Sequence, residues 1–224
     1  MHGCVLNNEN KTQLRFKNNS KQPIFMILII DNGSQYTHLI KRTCRDLDSE
    51  SEVLNAREKP EKLEEFLVNG VEKIILSGGP GSVYSDPPNL SSRICECIRD
   101  GKIATKTKGP ISLLGICYGH QMIANTFGAE VAKGKSAEYG MSEIQVDRDG
   151  MILNNMPKKF RAWVSHFDEV KNLPENFVKL AHSDSCEIEA MRHKTKPIFG
   201  VQFHPEVWHT ENGEKIIKNF LEMK

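Results

Sequence analysis

Cys117 is the residue best placed to do chemistry. It sits at the centre of Gly115-Ile116-Cys117-Tyr118-Gly119, directly after the apolar run Ile111-Ser112-Leu113-Leu114. A helix-like segment from His120 to Phe127 follows and stops at Gly128. Buried strand, tight turn and helix, with a cysteine at the apex, make the sulfur form of the G-x-S-x-G nucleophile elbow. Flanking glycines allow a turn too sharp for residues with a Cβ. The turn lifts the sulfur out of the sheet, and the following helix aims its first amides and its dipole at it, an environment suited to an anion.

A cysteine nucleophile needs a base and a group to orient that base. Among eight histidines, His204 stands apart, in Gly200-Val201-Gln202-Phe203-His204-Pro205-Glu206. It follows an apolar strand and has a carboxylate two residues on, with Pro205 restraining the backbone between them. A carboxylate beside an imidazole fixes its tautomer and stabilises the imidazolium. Cys117, His204 and Glu206 therefore read as a catalytic triad. The loop Gly78-Gly79-Pro80-Gly81 can be a plain turn, a phosphate cradle or an oxyanion site. It lacks the G-x-x-x-x-G-K-[ST] pattern of a phosphate loop. The oxyanion reading has one amide of this loop and the Tyr118 amide converging on a tetrahedral intermediate.

These residues need a scaffold of strands ending in loops. Ile24 to Ile30 is a short, unbroken apolar run, as in a strand buried on both faces of a parallel sheet. Asp31 to Ser34 is a turn, Gln35 to Leu47 a helix and Glu52 to Leu54 a short strand. Pro60 opens a helix that stops at Gly70. Lys73 to Leu76 is the next buried strand and runs into the glycine loop. A helix near Ser91 to Arg99 precedes the elbow strand. Alternating strands and helices imply an α/β fold, a mostly parallel central sheet flanked by helices. Such sheets bind ligands beyond the carboxyl ends of their strands, where all three loops lie. From Val131 on, the pattern adds strands at Ser142 to Val146, Arg161 to Val164, Val178 to Ala181, Glu187 to Met191 and Ile198 to Phe203. A helix from about Glu211 to Leu221 closes the chain.

The 224 residues suffice for one sizeable domain. A hydrophobic fraction of 38% and a charged fraction of 26% fit an ordinary globule. The net charge of +1 suggests no nucleic-acid partner, and no apolar run could span a bilayer. Residues 1–25 are polar and rich in Asn and Lys, and read as a flexible extension ahead of a domain at 26–224. There is no signal-peptide layout, so a reducing, cytoplasmic setting is expected. Of the six cysteines, Cys4, Cys44, Cys95, Cys97 and Cys186 read as packing or incidental residues. No C-x-x-C pair is present, and no metal site is expected. Lys102 to Lys108 reads as a solvated basic loop.

The segments Gly115 to Gln121, Ser77-Gly78-Gly79-Pro80 and Phe203 to Val207 together resemble the triad-type, class I glutamine amidotransferases across nearly all of 26–224. That resemblance implies a flavodoxin-like arrangement of the sheet. More narrowly, Asp31-Asn32-Gly33-Ser34-Gln35-Tyr36-Thr37, Tyr118 and Trp163-Val164-Ser165-His166 resemble the amidotransferase part of GMP synthetases. The resemblance implies that Cys117 attacks the side-chain amide of glutamine, that His204 protonates departing ammonia and then activates water, and that Glu206 orients His204. It implies oxyanion amides from Gly79 and Tyr118. Gln121 and the Ser165-His166 backbone would hold the amino-acid end of glutamine.

The same resemblance implies a partner. No S-G-G-x-D-S loop, the signature of the ATP-pyrophosphatase part that adenylates XMP, occurs in the sequence. The chain is therefore expected to bind no cofactor itself and to pass ammonia to a separate ATP-pyrophosphatase subunit that holds ATP and Mg. Four departures from the family pattern, the 1–25 extension, the longer 102–109 segment, Asn32 and Phe167, are expected to bear on partner docking more than on the triad. Other readings stay open on the residues alone. These are the glutaminase component of anthranilate or aminodeoxychorismate synthesis, a stand-alone γ-glutamyl hydrolase, and a non-catalytic redox or regulatory module.

Overall fold

The computed structural model describes residues 26–103 and 109–223. The sequence-based readings of 1–25 and of 104–108, with Cys4, lie outside the described residues.

The apolar run at the start of the domain forms β1 (Met26–Asp31). It lies between β2 (Ser51–Asn55) and β3 (Val71–Leu76), parallel to both. Next come β4 (Ser112–Ile116) and β9 (Ile198–Val201), also parallel. Five parallel strands thus form the core of the sheet, in the order β2-β1-β3-β4-β9. Alternation along β1 divides its side chains. Leu28 and Ile30 pack with α2 (Pro60–Val68), α3 (Leu90–Arg99) and α4 (Tyr118–Thr126). Ile27 and Ile29 pack with α1 (Thr37–Asp46) and α5 (Gly213–Glu222). A strand with both faces covered must be apolar throughout, which is why β1 shows no period of two.

The sheet continues antiparallel through β8 (Ala190–His193), β7 (Phe177–His182), β5 (Val131–Val146) and β6 (Lys159–Val170). The sequence marks only the second half of β5. Its first half is mostly exposed or half-buried, with the register shifting between Lys133 and Glu138. A ribbon with little to bury carries no hydrophobic period. β6 runs well beyond the Arg161–Val164 core seen in sequence, because the polar residues Ser165, His166, Asp168 and Glu169 break its apolar alternation. A strand was expected from Glu187, but β8 starts only at Ala190. Ahead of it a tight loop forms, with the Ser183 amide bonded to the Cys186 carbonyl at 2.8 Å and the Cys186 amide to Ser183 Oγ at 3.0 Å. A short 3₁₀ turn at Met151–Leu153 has no sequence signal of its own. No helix among the described residues is long and apolar enough to cross a membrane.

Candidate active site

Cys117 lies between β4 and α4 with φ +50° and ψ −104°. A non-glycine residue held there stores about 1–3 kcal/mol of strain. Bonds on both sides hold it. Its amide donates to the Val201 carbonyl of β9 at 2.8 Å, and its carbonyl accepts from the Gln121 amide at 3.0 Å. The elbow also requires close backbone approach. A Cβ on Gly115 would lie 2.4 Å from the Gly119 carbonyl, and one on Gly119 would lie 2.5 Å from the Leu76 carbonyl oxygen. The first amides of α4, that of Tyr118 included, have no intrahelical acceptor.

His204 and Glu206 follow β9. His204 Nδ1 is 2.8 Å from Glu206 Oε1, and the glutamate side chain is fully buried. The imidazole is also close enough to the Cys117 sulfur for the two to interact electrostatically. Burial opposes a charge on His204, but the Glu206 carboxylate and the Cys117 sulfur outweigh it and raise its pKa well above the ordinary imidazole range. The main chain of His204 is pinned too. Its amide donates to the Trp163 carbonyl at 2.9 Å, and Thr210 Oγ1 donates to its carbonyl at 2.6 Å. Tyr36 meets the ring edge-on, with centroids 5.1 Å apart, and its hydroxyl accepts from Trp163 Nε1 at 3.2 Å.

The glycine loop after β3 closes another side of the nucleophile. A Cβ on Gly78 would lie 3.0 Å from His204 Cε1 and 3.6 Å from Cys117 Cβ; one on Gly79 would lie 2.7 Å from the Asn32 carbonyl oxygen. Asn32 holds this loop. Its amide donates to Ser77 Oγ and its side-chain nitrogen to the Ser77 carbonyl, both at 2.9 Å, while Ser91 Oγ donates to Asn32 Oδ1 at 2.7 Å. A residue expected to bear on partner docking is thus an internal brace of the glycine loop.

A pocket of about 440 Å³ opens on Cys117, lined by Gly79, Gln121, Ser165, His166, Glu138 and Asp168 among others. Cys117 Sγ lies 3.7 Å from the Ser165 carbonyl. Gln121 Nε2 donates to the Asp168 carbonyl at 2.7 Å and to Gln202 Oε1 at 3.1 Å. The Tyr118 side chain lies elsewhere, in a larger hollow of about 980 Å³ that does not include Cys117, with its hydroxyl donating to Asp86 at 3.1 Å. Only the Tyr118 backbone is left to serve Cys117.

Sequence reasoning missed four residues here. Gln202 Nε2 lies 3.7 Å from Cys117 Sγ. Tyr36 packs on His204, and Glu138 and Asp168 bring carboxylates to the pocket beside Cys117. Asp168 accepts hydrogen bonds from Ser82 and from Tyr84. Isolated acids on a ribbon have no spacing signature. Gln202 lies just past the end of β9, where strand alternation no longer fixes which way a side chain points. Burial pushes the His166 imidazole down to about 4, so it is neutral near pH 7.

With this geometry in hand, comparisons with known proteins agree on one family. The profile described as "Glutamine amidotransferase class-I" matches residues 28–223. A Methanocaldococcus jannaschii protein, named as one of the subunits of a glutamine-hydrolyzing GMP synthase, is 46% identical over 198 residues, which is 88% of this chain and 97% of that one. A Pyrococcus abyssi protein of the same name is 44% identical, covering 88% of this chain and 98% of its own. The solved structure of a candidate GMP synthase subunit from Thermoplasma acidophilum superposes with a TM-score of 0.75 at 32% identity, covering 88% of this chain and 92% of its own.

Proposed function

Because the chain belongs to the class I glutamine amidotransferases, we propose that it is the glutamine-hydrolysing subunit of a two-subunit GMP synthase. The observation that carries this reading is the Cys117–His204–Glu206 line, with its 2.8 Å histidine–carboxylate contact, at the mouth of a pocket with acidic walls. The similarity to proteins named as glutamine-hydrolyzing GMP synthase subunits supplies the pathway.

The Cys117 sulfur attacks the side-chain amide carbon of glutamine. The new oxyanion is received by the Gly79 and Tyr118 amides. His204, charged and aligned by Glu206, gives its proton to the departing nitrogen, and ammonia leaves a glutamyl thioester on Cys117. Neutral His204 then takes a proton from water, which hydrolyses the thioester and releases glutamate. Gln121 and the Ser165-His166 backbone hold the amino-acid end, with Glu138 and Asp168 offering negative charge to the α-ammonium. The chain itself needs no cofactor for these steps. Ammonia passes to an ATP-pyrophosphatase subunit, which uses ATP and Mg to activate XMP and aminate it to GMP.

The test is reconstitution with a candidate synthetase subunit, ATP, Mg and XMP, comparing glutamine with ammonium salts as nitrogen source. Both should yield GMP, and Cys117→Ala should remove only the glutamine route. GMP formed from ammonium but never from glutamine would refute the proposal.

A further inference from the structure

Behind the pocket lies a second cluster of chemically capable side chains, from three separate stretches of chain. His166 comes from β6, Cys186 from the tight loop after β7, and Glu189 from the residue just before β8. One ligand-type atom from each lies within 4.8 Å of the others. The His166 side chain is 3% exposed, and Cys186 and Glu189 are 0% exposed. Triad chemistry uses none of these side chains.

The hydrogen bonding of this cluster is unfinished. Neither oxygen of Glu189 has a well-aligned hydrogen-bond partner, nor does His166 Nε2. The Asp168 backbone lies close enough to the His166 ring to favour its charged form, the position an outer partner takes behind a metal-bound histidine. Glu138 Oε2 is 3.0 Å from His166 Nε2, yet it too lacks a well-aligned hydrogen bond. Burial pushes the Glu189 carboxyl up to about 8, and the Ser183 side chain approaches it without a well-aligned bond, so a charge here is costly unless it is paired. A divalent cation would satisfy it and take up the orphaned imidazole nitrogen.

We propose that His166 Nε2, Cys186 Sγ and a Glu189 carboxylate oxygen form a binding site for a divalent transition metal of the zinc type. A thiolate, an imidazole and a carboxylate are zinc ligands, and calcium and magnesium would reject the sulfur. Two anionic ligands and one neutral one cancel the charge of a divalent ion, so the loaded cluster is neutral in its buried setting. Tetrahedral zinc places its ligand atoms roughly 3.3–3.8 Å apart, so an ion would draw this cluster slightly together. The remaining position is open to water, which keeps the cluster neutral.

The placement ties the site to catalysis. His166 adjoins Ser165, whose carbonyl faces Cys117. The Glu189 carbonyl accepts from the Gln202 amide at 2.8 Å, and the Gln202 side chain reaches the same sulfur. An ion here would brace two walls of the glutamine pocket from behind.

The test uses the full chain carrying Cys117→Ala, so that the nucleophile beside His204 cannot bind metal itself. Titration with cobalt(II) should saturate at one equivalent, with a near-ultraviolet thiolate-to-cobalt band and visible bands typical of four-coordination. Zinc should displace the cobalt. Adding Cys186→Ser should abolish the thiolate band, and Glu189→Gln should weaken cobalt binding at least tenfold. Circular dichroism checks that each variant folds, and if Cys186→Ser does not, Glu189→Gln and His166→Asn carry the test. No thiolate band on the Cys117→Ala chain, a band that survives Cys186→Ser, or unchanged affinity in the folded Glu189→Gln and His166→Asn variants would overturn the proposal.

Discussion

Gln202 Nε2 lies 3.7 Å from Cys117 Sγ, and its own oxygen accepts from Gln121 Nε2 at 3.1 Å. Two amides in series therefore connect the nucleophile to the pocket wall, because Gln121 also donates to the Asp168 carbonyl. A hydrogen bond to a charged group is worth about 1.5–3 kcal/mol. Gln202→Leu keeps a similar volume and removes the donor. It should lower kcat for glutamine hydrolysis at least about tenfold, while KM moves by only a few fold. Steady-state kinetics check this, and an unchanged kcat would assign Gln202 to packing alone.

Glu206 makes the second prediction, through His204. Burial lowers the histidine pKa, but Glu206 and Cys117 raise it well above the ordinary value. A raised folded-state pKa contributes stability that is fully present below the unfolded value of about 6.5. That stability is lost as pH rises through the folded value. Glu206→Gln removes the first of the two raising charges. The alkaline limb of kcat/KM should move to lower pH. The stability gap between parent and variant should be widest below about pH 6.5 and narrow on the alkaline side. A pH–rate profile and denaturant midpoints across pH measure both effects; coincident profiles would mean the carboxylate only fills space.

Much of this site can be read in the chain, and the reason is local. Cys117 with its glycines, and His204 with Glu206, lie within single short stretches where strand, turn and spacing fix the geometry. The buried parallel strands are equally plain, since β1 and β3 must be apolar on both faces. The first half of β5 is not, because a half-exposed ribbon buries too little to leave a period. Nor can sequence place His166 beside Cys186 and Glu189, because only the pairing of β5 with β6 and β7 brings those segments together. Asn32 shows the same limit. Its bonds to Ser77 and Ser91 span 45 and 59 residues, and nothing at position 32 alone announces them.

The elbow glycines allow a direct test of stability. A Cβ on Gly115 would sit 2.4 Å from the Gly119 carbonyl carbon and oxygen and 2.6 Å from the His120 amide nitrogen. These are backbone atoms of α4, so relief requires moving the helix rather than turning a side chain. Gly115→Ala should cost at least about 3 kcal/mol, or prevent soluble expression. Urea midpoints check this. A loss under about 1 kcal/mol would mean that the strand and α4 are free to part.

The last prediction concerns the outer surface beside the triad. Trp208 stands two residues after Glu206 and is 83% exposed. It packs on His209 with centroids 3.6 Å apart, His209 stacks on Trp163 at 5.0 Å, and Trp163 meets Tyr139 edge-on at 5.3 Å. Tyr139 is itself 75% exposed and lines the pocket that opens on Cys117. An aromatic strip therefore runs from the rim of the glutamine pocket to Trp208. On the proposed function ammonia would leave from that pocket, and a synthetase subunit that takes it up would cover the same rim. Exposed tryptophan is costly in water and frequent among the residues that dominate interfaces. Trp208→Ala should leave the stability of the isolated chain within about 0.5 kcal/mol. Affinity for the synthetase subunit should fall about thirtyfold, the equivalent of 2 kcal/mol at a dominant contact. GMP formation from glutamine should fall with it at limiting subunit concentration, while formation from ammonium, which bypasses this surface, should hold. Titration calorimetry and paired rate measurements with the two nitrogen sources read these effects. Equal affinity and equal glutamine-dependent rates in parent and variant would place the synthetase contact elsewhere.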